Sequence, residues 1–250
     1  MMTEKPQSFA ELVGYEPKSS PHAIEETHGT TVLGIKYKGG ILTFADRRAT
    51  MGNLIMYDSA EKVFALDDST VVAISGSFAR SIEICRLLKH SLKYFRRMQL
   101  QEMSLEGKLQ EITRALSNNL PMVMNGIGVF IPIIGIRNTK NGTFHVYSFD
   151  TAGARFELGD YAAAGSGSER IRGIFEYAAQ AHGPWHERPR EDVLVEGLRM
   201  LSIAADMDSA TGGIVKHPPI VRDLNESGTF LVDEDTMKSA LIKAGTFVSA

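Results

Sequence analysis

The chain has 250 residues, 43% of them hydrophobic, with one cysteine and a formal net charge of -3. That is enough apolar material for a buried core, and the lack of basic clusters interleaved with aromatics argues against DNA or RNA as a partner. No run approaches 18 consecutive apolar residues and no basic stretch followed by an apolar one opens the chain, so neither a membrane span nor a secretory signal is predicted; the lone Cys85 excludes an internal disulfide framework and fits a cytoplasmic location.

Residues 1–29 hold Pro6, Pro17 and Pro21, five acidic residues against two lysines, and few periodic apolar positions. They read as an extension outside the core. The remaining charges balance at 25 of each sign, so the net charge of the protein sits in this leader. At Gly29-Thr30 the composition changes. Strands are predicted over 31–36 and 41–46, joined by the turn Lys38-Gly39-Gly40, and over 62–66 and 71–75, joined by Asp67-Asp68-Ser69-Thr70 and ending at Gly76. Ile82, Cys85, Leu88 and Leu92 then recur at helical spacing over 77–99, and Leu109, Ile112 and Leu116 do so over 105–124.

Strand character returns over 128–136 and, after Asn141-Gly142, over 143–149, with shorter pieces near Phe156 and over 161–164. Helices are predicted over 168–180 and 191–205, separated by the loop "HGPWHERP", and a last strand pair near Ile220 and Phe230 precedes a short helix over 235–243. Strands, two helices, strands, two helices and strands again argue for α+β with antiparallel sheets. Two stacked sheets with helix pairs outside would bury every apolar face, which predicts an αββα sandwich.

Metal and nucleotide motifs are missing: there is no His-Glu-x-x-His, Cys-x-x-Cys or phosphate-loop pattern. Four residues at predicted strand ends have complementary chemistry: Thr30, Asp46, Lys62 and Gly76. Antiparallel connection lets these ends share one sheet edge. A threonine hydroxyl needs a base, and a free α-amine, with an ordinary pKa of about 7.7 to 8.0, can serve. Thr30 would own such an amine only after the Gly29-Thr30 bond is cut, which gives the leader a purpose. Lys62 would tune the amine and hydroxyl, Asp46 would orient Lys62, and the Gly76 backbone N–H would meet an oxyanion. Singly, each residue also reads as an ordinary strand end. On this reading Thr31 is only a strand residue.

The stretches "HGTTVLGIKYKGGILTFADRR", "ISGS", "GSGS" and "DMDSATGG", with Lys62 between the first two, resemble a proteasome core-particle β subunit of the bacterial, actinobacterial-like type, and the resemblance covers 30–250. It implies the N-terminal nucleophile hydrolase fold and threonine endopeptidase activity, with residues 1–29 a propeptide removed autocatalytically and 30–250 the single catalytic domain. It further implies that Thr30 is the nucleophile, Asp46 and Lys62 the catalytic pair, Gly76 the oxyanion donor and Arg48 structural. Ser166 and Asp208 would contact the terminal amine, supported by Thr211, where many members of the family have serine. Ala49, Thr50, Ala60, Phe64, Ile74 and Phe78 would line the acyl-side pocket, implying apolar preference. No cofactor or metal is implied.

The implied partners are proteasome α subunits and further copies of the chain in stacked seven-membered rings, a ring ATPase that delivers substrates, and unfolded polypeptides. Two rivals stay open. One is another N-terminal nucleophile hydrolase of the same sandwich, such as the simpler two-ring bacterial protease or an ancestral proteasome-like peptidase. The other is a non-catalytic ring subunit, which predicts loss of Thr30, Asp46 or Lys62; all three are present.

Overall fold

The run from Thr31 alternates side chains between two apolar environments, so a strand here must be covered on both faces. The computed structural model describes residues 29–52 and 54–245, and in it this requirement is met by four layers. Strands β1 (Thr31–Tyr37) and β2 (Gly40–Ala45) pair antiparallel around the Lys38-Gly39 turn, Leu33 facing Phe44 and Ile35 facing Leu42. β10 (Tyr161–Gly165) flanks β1, while β11 (Ile220–Asn225) and β12 (Gly228–Leu231) extend the sheet beyond β2. The second sheet runs in chain order through β5 (Val63–Asp67), β6 (Thr70–Ala73), β7 (Ile133–Arg137), β8 (Phe144–Phe149) and β9 (Arg155–Leu158). Both five-stranded sheets are antiparallel throughout.

One face of each sheet meets the other sheet. Val32, Ile41 and Ala45 of the first pack with Val63, Val71, Ile133 and Val146 of the second. The outer face of the second sheet is covered by α1 (Phe78–Gln99) and α2 (Leu105–Met124) through Ile84, Leu88, Leu109, Ile112 and Leu116. The outer face of the first is covered by α3 (Ser168–His182), α4 (Arg190–Met207) and α5 (Glu234–Lys243), with Leu33, Phe44, Phe175, Leu198 and Leu241 in the seam. This is the expected αββα sandwich. The loop "HGPWHERP" is part of that seam: Trp185 is fully buried, and the Arg188 guanidinium stacks 4.0 Å above its ring. Among the described residues no helix is long and apolar enough to cross a membrane.

Three expectations change. The strand predicted from Gly128 begins at Ile133, because Gly126 and Gly128 take positive φ and only Phe130 makes an isolated bridge, to Gly76. A hairpin that the pattern did not predict, β3 (Ala49–Met51) with β4 (Leu54–Tyr57), forms a separate two-stranded sheet. Finally, the strand ends carrying Thr30 and Asp46 belong to one sheet and those carrying Lys62 and Gly76 to the other, so they do not share a sheet edge. The Gly29-Thr30 junction, Asp46 and Lys62 meet across the sandwich, because the chain crosses between layers after the β3–β4 hairpin.

Candidate active site

Thr30 precedes β1 and is buried, its hydroxyl donating to the Gly29 carbonyl at 2.5 Å. Lys62 Nζ approaches the same carbonyl oxygen at 3.3 Å. Gly29 lies where no side chain fits, since a Cβ there would stand 2.3 Å from Thr50 Oγ1 and 2.7 Å from the Ala210 carbonyl. The hydroxyl and the ammonium therefore converge on one peptide bond, that between Gly29 and Thr30.

Lys62 and Asp46 are each 1% exposed and pair at 2.9 Å. An isolated buried charge would be very costly, so both need further partners. The Asp46 carboxylate has them: Oδ1 accepts from Thr31 N at 2.8 Å and from Lys62, while Oδ2 accepts from Arg48 N at 2.8 Å and Gly212 N at 2.9 Å. Lys62 also donates to the Arg48 carbonyl. Burial pushes the Lys62 ammonium below its ordinary value, opposed by the charge and hydrogen bond of Asp46. A lysine poised this way can release and recover a proton more readily than one in water. Arg48 itself turns outward to Asp58 at 2.9 Å and to the Ser209 carbonyl at 3.2 Å, bracing the turn that supplies Gly212.

A second cluster adjoins Thr30. Ser166 Oγ donates to Asp208 Oδ2 at 2.6 Å and lies 3.4 Å from the Thr30 carbonyl. Thr211 Oγ1 also donates to Asp208 Oδ2, at 2.6 Å, which leaves its lone pairs to accept the Thr31 hydroxyl at 2.7 Å. Thr31 is thus more than the strand residue expected: its N–H holds Asp46 and its hydroxyl ends the chain that leads to Asp208. The "TT" doublet was the available signal, but it could not tell which hydroxyl faces which partner.

Gly76 takes φ +99°, and a Cβ there would stand 2.3 Å from the Val129 carbonyl oxygen, so glycine is demanded twice over. Ser77 N donates to Val129 O at 2.7 Å and Ile131 N to Ser75 O at 3.1 Å. These bonds bracket the Gly76/Phe130 pair, so the Gly76 N–H points away from Phe130. That is the side of β6 on which Ile74 N binds the Lys62 carbonyl at 2.9 Å.

The six expected pocket residues lie on β3, on β5, after β6, at the start of α1 and in the loop before Lys62. Ile74, Phe64 and Phe78 pack in one cluster against α1, and Phe64 and Phe78 border a cavity of about 430 Å³ continued by Ile82, Cys85, Arg86, Lys89, Arg222 and Glu61. Thr50 adjoins Gly29, Ala49 precedes it on β3, and Ala60 is tied through its N–H to the Arg47 carbonyl at 3.0 Å.

Family comparison matches residues 26–216 to the model described as proteasome subunit. The chain belongs to the proteasome subunit family. It is 34% identical over 212 residues to the proteasome subunit beta of Streptomyces griseus subsp. griseus, covering 85% of this chain and 72% of that one. It is 33% identical over 220 residues to the proteasome subunit beta of Acidothermus cellulolyticus, covering 85% and 74%. Proteasome family membership makes the sandwich an N-terminal nucleophile hydrolase fold and the protein a threonine-type peptidase of the proteasome core, assembling in rings with other proteasome subunits.

Proposed function

We propose that this chain is a catalytic β subunit made as a precursor, and that Thr30 is both nucleophile and base once the Gly29-Thr30 bond is cut. In the cutting step the Thr30 hydroxyl oxygen attacks the Gly29 carbonyl carbon, and the Lys62 ammonium relays the proton, taking up the one the hydroxyl loses as it passes one of its own toward the Thr30 nitrogen. The C–N bond breaks as the Thr30 nitrogen takes that proton, leaving an ester of Gly29 on Thr30 Oγ. Water hydrolyses the ester, residues 1–29 leave with a carboxylate, and Thr30 keeps a free amine. Residues 1–28 lie outside the described residues. The observation that carries this reading is the convergence of the Thr30 hydroxyl and Lys62 Nζ on the Gly29 carbonyl oxygen, at 2.5 and 3.3 Å.

In peptide hydrolysis the same hydroxyl attacks a substrate carbonyl. The Gly76 N–H receives the developing oxyanion, and the acyl group passes to Thr30 Oγ before water, activated by the Thr30 amine, releases it. Asp208, already accepting from Ser166 and Thr211, stands as counter-ion for the new terminal ammonium. Phe64, Ile74 and Phe78 support an apolar preference on the acyl side. The working particle would join this chain with proteasome α subunits and its own copies in seven-membered rings in the cytoplasm. A ring ATPase would feed it unfolded polypeptides.

Intact mass of the assembled protein tests this. Wild type should begin at Thr30 and hydrolyse peptides, while Thr30→Ala should keep residues 1–29 and lose hydrolysis. An active wild-type complex that retains the leader would overturn the mechanism, and so would an active Thr30→Ala complex. Hydrolysis confined to peptides with acidic or basic acyl-side residues would overturn the specificity.

A further inference from the structure

We propose that Asn119 is a positioning residue for the oxyanion donor Gly76. Asn119 lies on α2, far along the chain from Thr30, and is 1% exposed. Its Nδ2 donates to the Gly128 carbonyl at 2.7 Å and its Oδ1 accepts from Arg80 Nε, on the first turn of α1, at 2.7 Å. The amide orientation is dictated by these partners, since a guanidinium can only donate and a carbonyl can only accept. A buried amide with both ends engaged is a rigid strut between two helices and the segment 125–130.

That segment sets where Gly76 sits. Val129, next to Gly128, accepts the Ser77 N–H at 2.7 Å, and its carbonyl oxygen fills the space that a Gly76 Cβ would need. Ile131 binds Ser75 on the other side, N–H to carbonyl at 3.1 Å, with the Ser75 hydroxyl returning to the Ile131 carbonyl at 2.8 Å. Only one bridge pair, Gly76 with Phe130, extends the sheet here, and Gly126 and Gly128 take positive φ. The segment therefore lacks the register of a continuous ladder. Backbone bonds from Asn125 N, Gly126 N and Ile127 N to Met122 and Val123 hold its start to the end of α2, Asn119 holds Gly128 directly beside Val129, and Arg80 holds Asn119 in the orientation that can donate. An oxyanion donor is useful only if pre-aimed within a few tenths of an ångström, so an anchor that sets the Val129 carbonyl sets the direction of the Gly76 N–H.

The proposal rests on Thr30 catalysis with Gly76 as donor, and Asn119→Asp in the assembled, processed particle tests it. The variant keeps the size of the side chain and the acceptor for Arg80, but turns a second carboxylate oxygen toward the Gly128 carbonyl. Loss of a whole oxyanion donor costs about 10²–10³ in kcat; a misaimed one should cost about 10 to 100-fold, with KM within about twofold. A peptide aldehyde or boronate, whose adduct with Thr30 places an oxygen at the same spot, should weaken by the same factor as kcat/KM, and a peptide amide that binds without an adduct should not weaken. Arg80→Met, which keeps the stem packing, should change the same quantities in the same direction but less, and it carries the test alone if Asn119→Asp fails to assemble. Wild-type kcat in the variants would overturn the proposal, as would a fall in kcat with unchanged adduct affinity. Failure of wild type to form the adduct through Thr30 would overturn the underlying mechanism instead.

Discussion

Thr30 and Thr31 carry the same side chain one residue apart, and the strand pleat sends them to different tasks. Thr30 turns its hydroxyl to the Gly29 carbonyl, whereas Thr31 turns its own to Thr211 and thus to Asp208. Thr30, Asp46, Lys62 and Gly76 were legible as candidates from residue type at strand ends; the second hydroxyl was not, because its partner lies 180 residues away. Thr31→Val keeps the shape but removes the hydrogen bond to the buried Thr211 hydroxyl, which still donates to Asp208, a loss of about 0.5–1.5 kcal/mol. Lower thermal stability and a several-fold lower peptide kcat are expected, while Thr211→Ser, which keeps both hydrogen bonds, should stay within about twofold of wild type. Equal kcat for Thr31→Val and wild type would remove Thr31 from the site.

Among the elements, α1 shows how far periodicity reaches. The expected face Ile82, Cys85, Leu88 and Leu92 is the face that packs on the second sheet, with Ile84 fully buried and Ile82 partly so. The surrounding apolar atoms push the Cys85 thiol up to about 12. A raised thiol pKa leaves only on the order of one molecule in 10⁴ as thiolate at pH 8. Cys85 should therefore resist a thiol reagent in the folded protein and react stoichiometrically in denaturant; rapid labelling of native protein at pH 8 would contradict the burial. The β3–β4 hairpin shows the opposite case. Leu54, Ile55, Met56 and Tyr57 form an unbroken apolar run with no alternation, and all four are exposed. Local pattern could not mark it as a strand of any known face.

At the scale of the whole molecule, the four layers account for both faces of each sheet, yet α1 still exposes Leu87, Tyr94 and Met98 along its outer side. These recur seven and four residues apart, so they form one stripe. The family assembles in rings, and this apolar stripe is the predicted contact for a neighbouring subunit. The pair Leu87→Glu and Tyr94→Glu leaves the inner face of α1 untouched, so the subunit should fold with wild-type secondary structure but sediment as free subunits instead of rings. Full-sized particles from the double variant would place the interface elsewhere.

The amino-acid sequence by itself determined the element order, the antiparallel α+β class, the break at Thr30 and the residue types able to do threonine chemistry, because apolar periodicity and turn chemistry act over a few neighbouring residues. Tertiary structure alone decided that the ends carrying Thr30, Asp46 and Lys62 meet between two sheets and not along one. It also decided that the Gly212 N–H holds Asp46 and that Asn119 anchors the segment behind Gly76. Such partners are chosen by packing of layers distant in the chain, and no local pattern encodes which buried donor will face which buried acceptor.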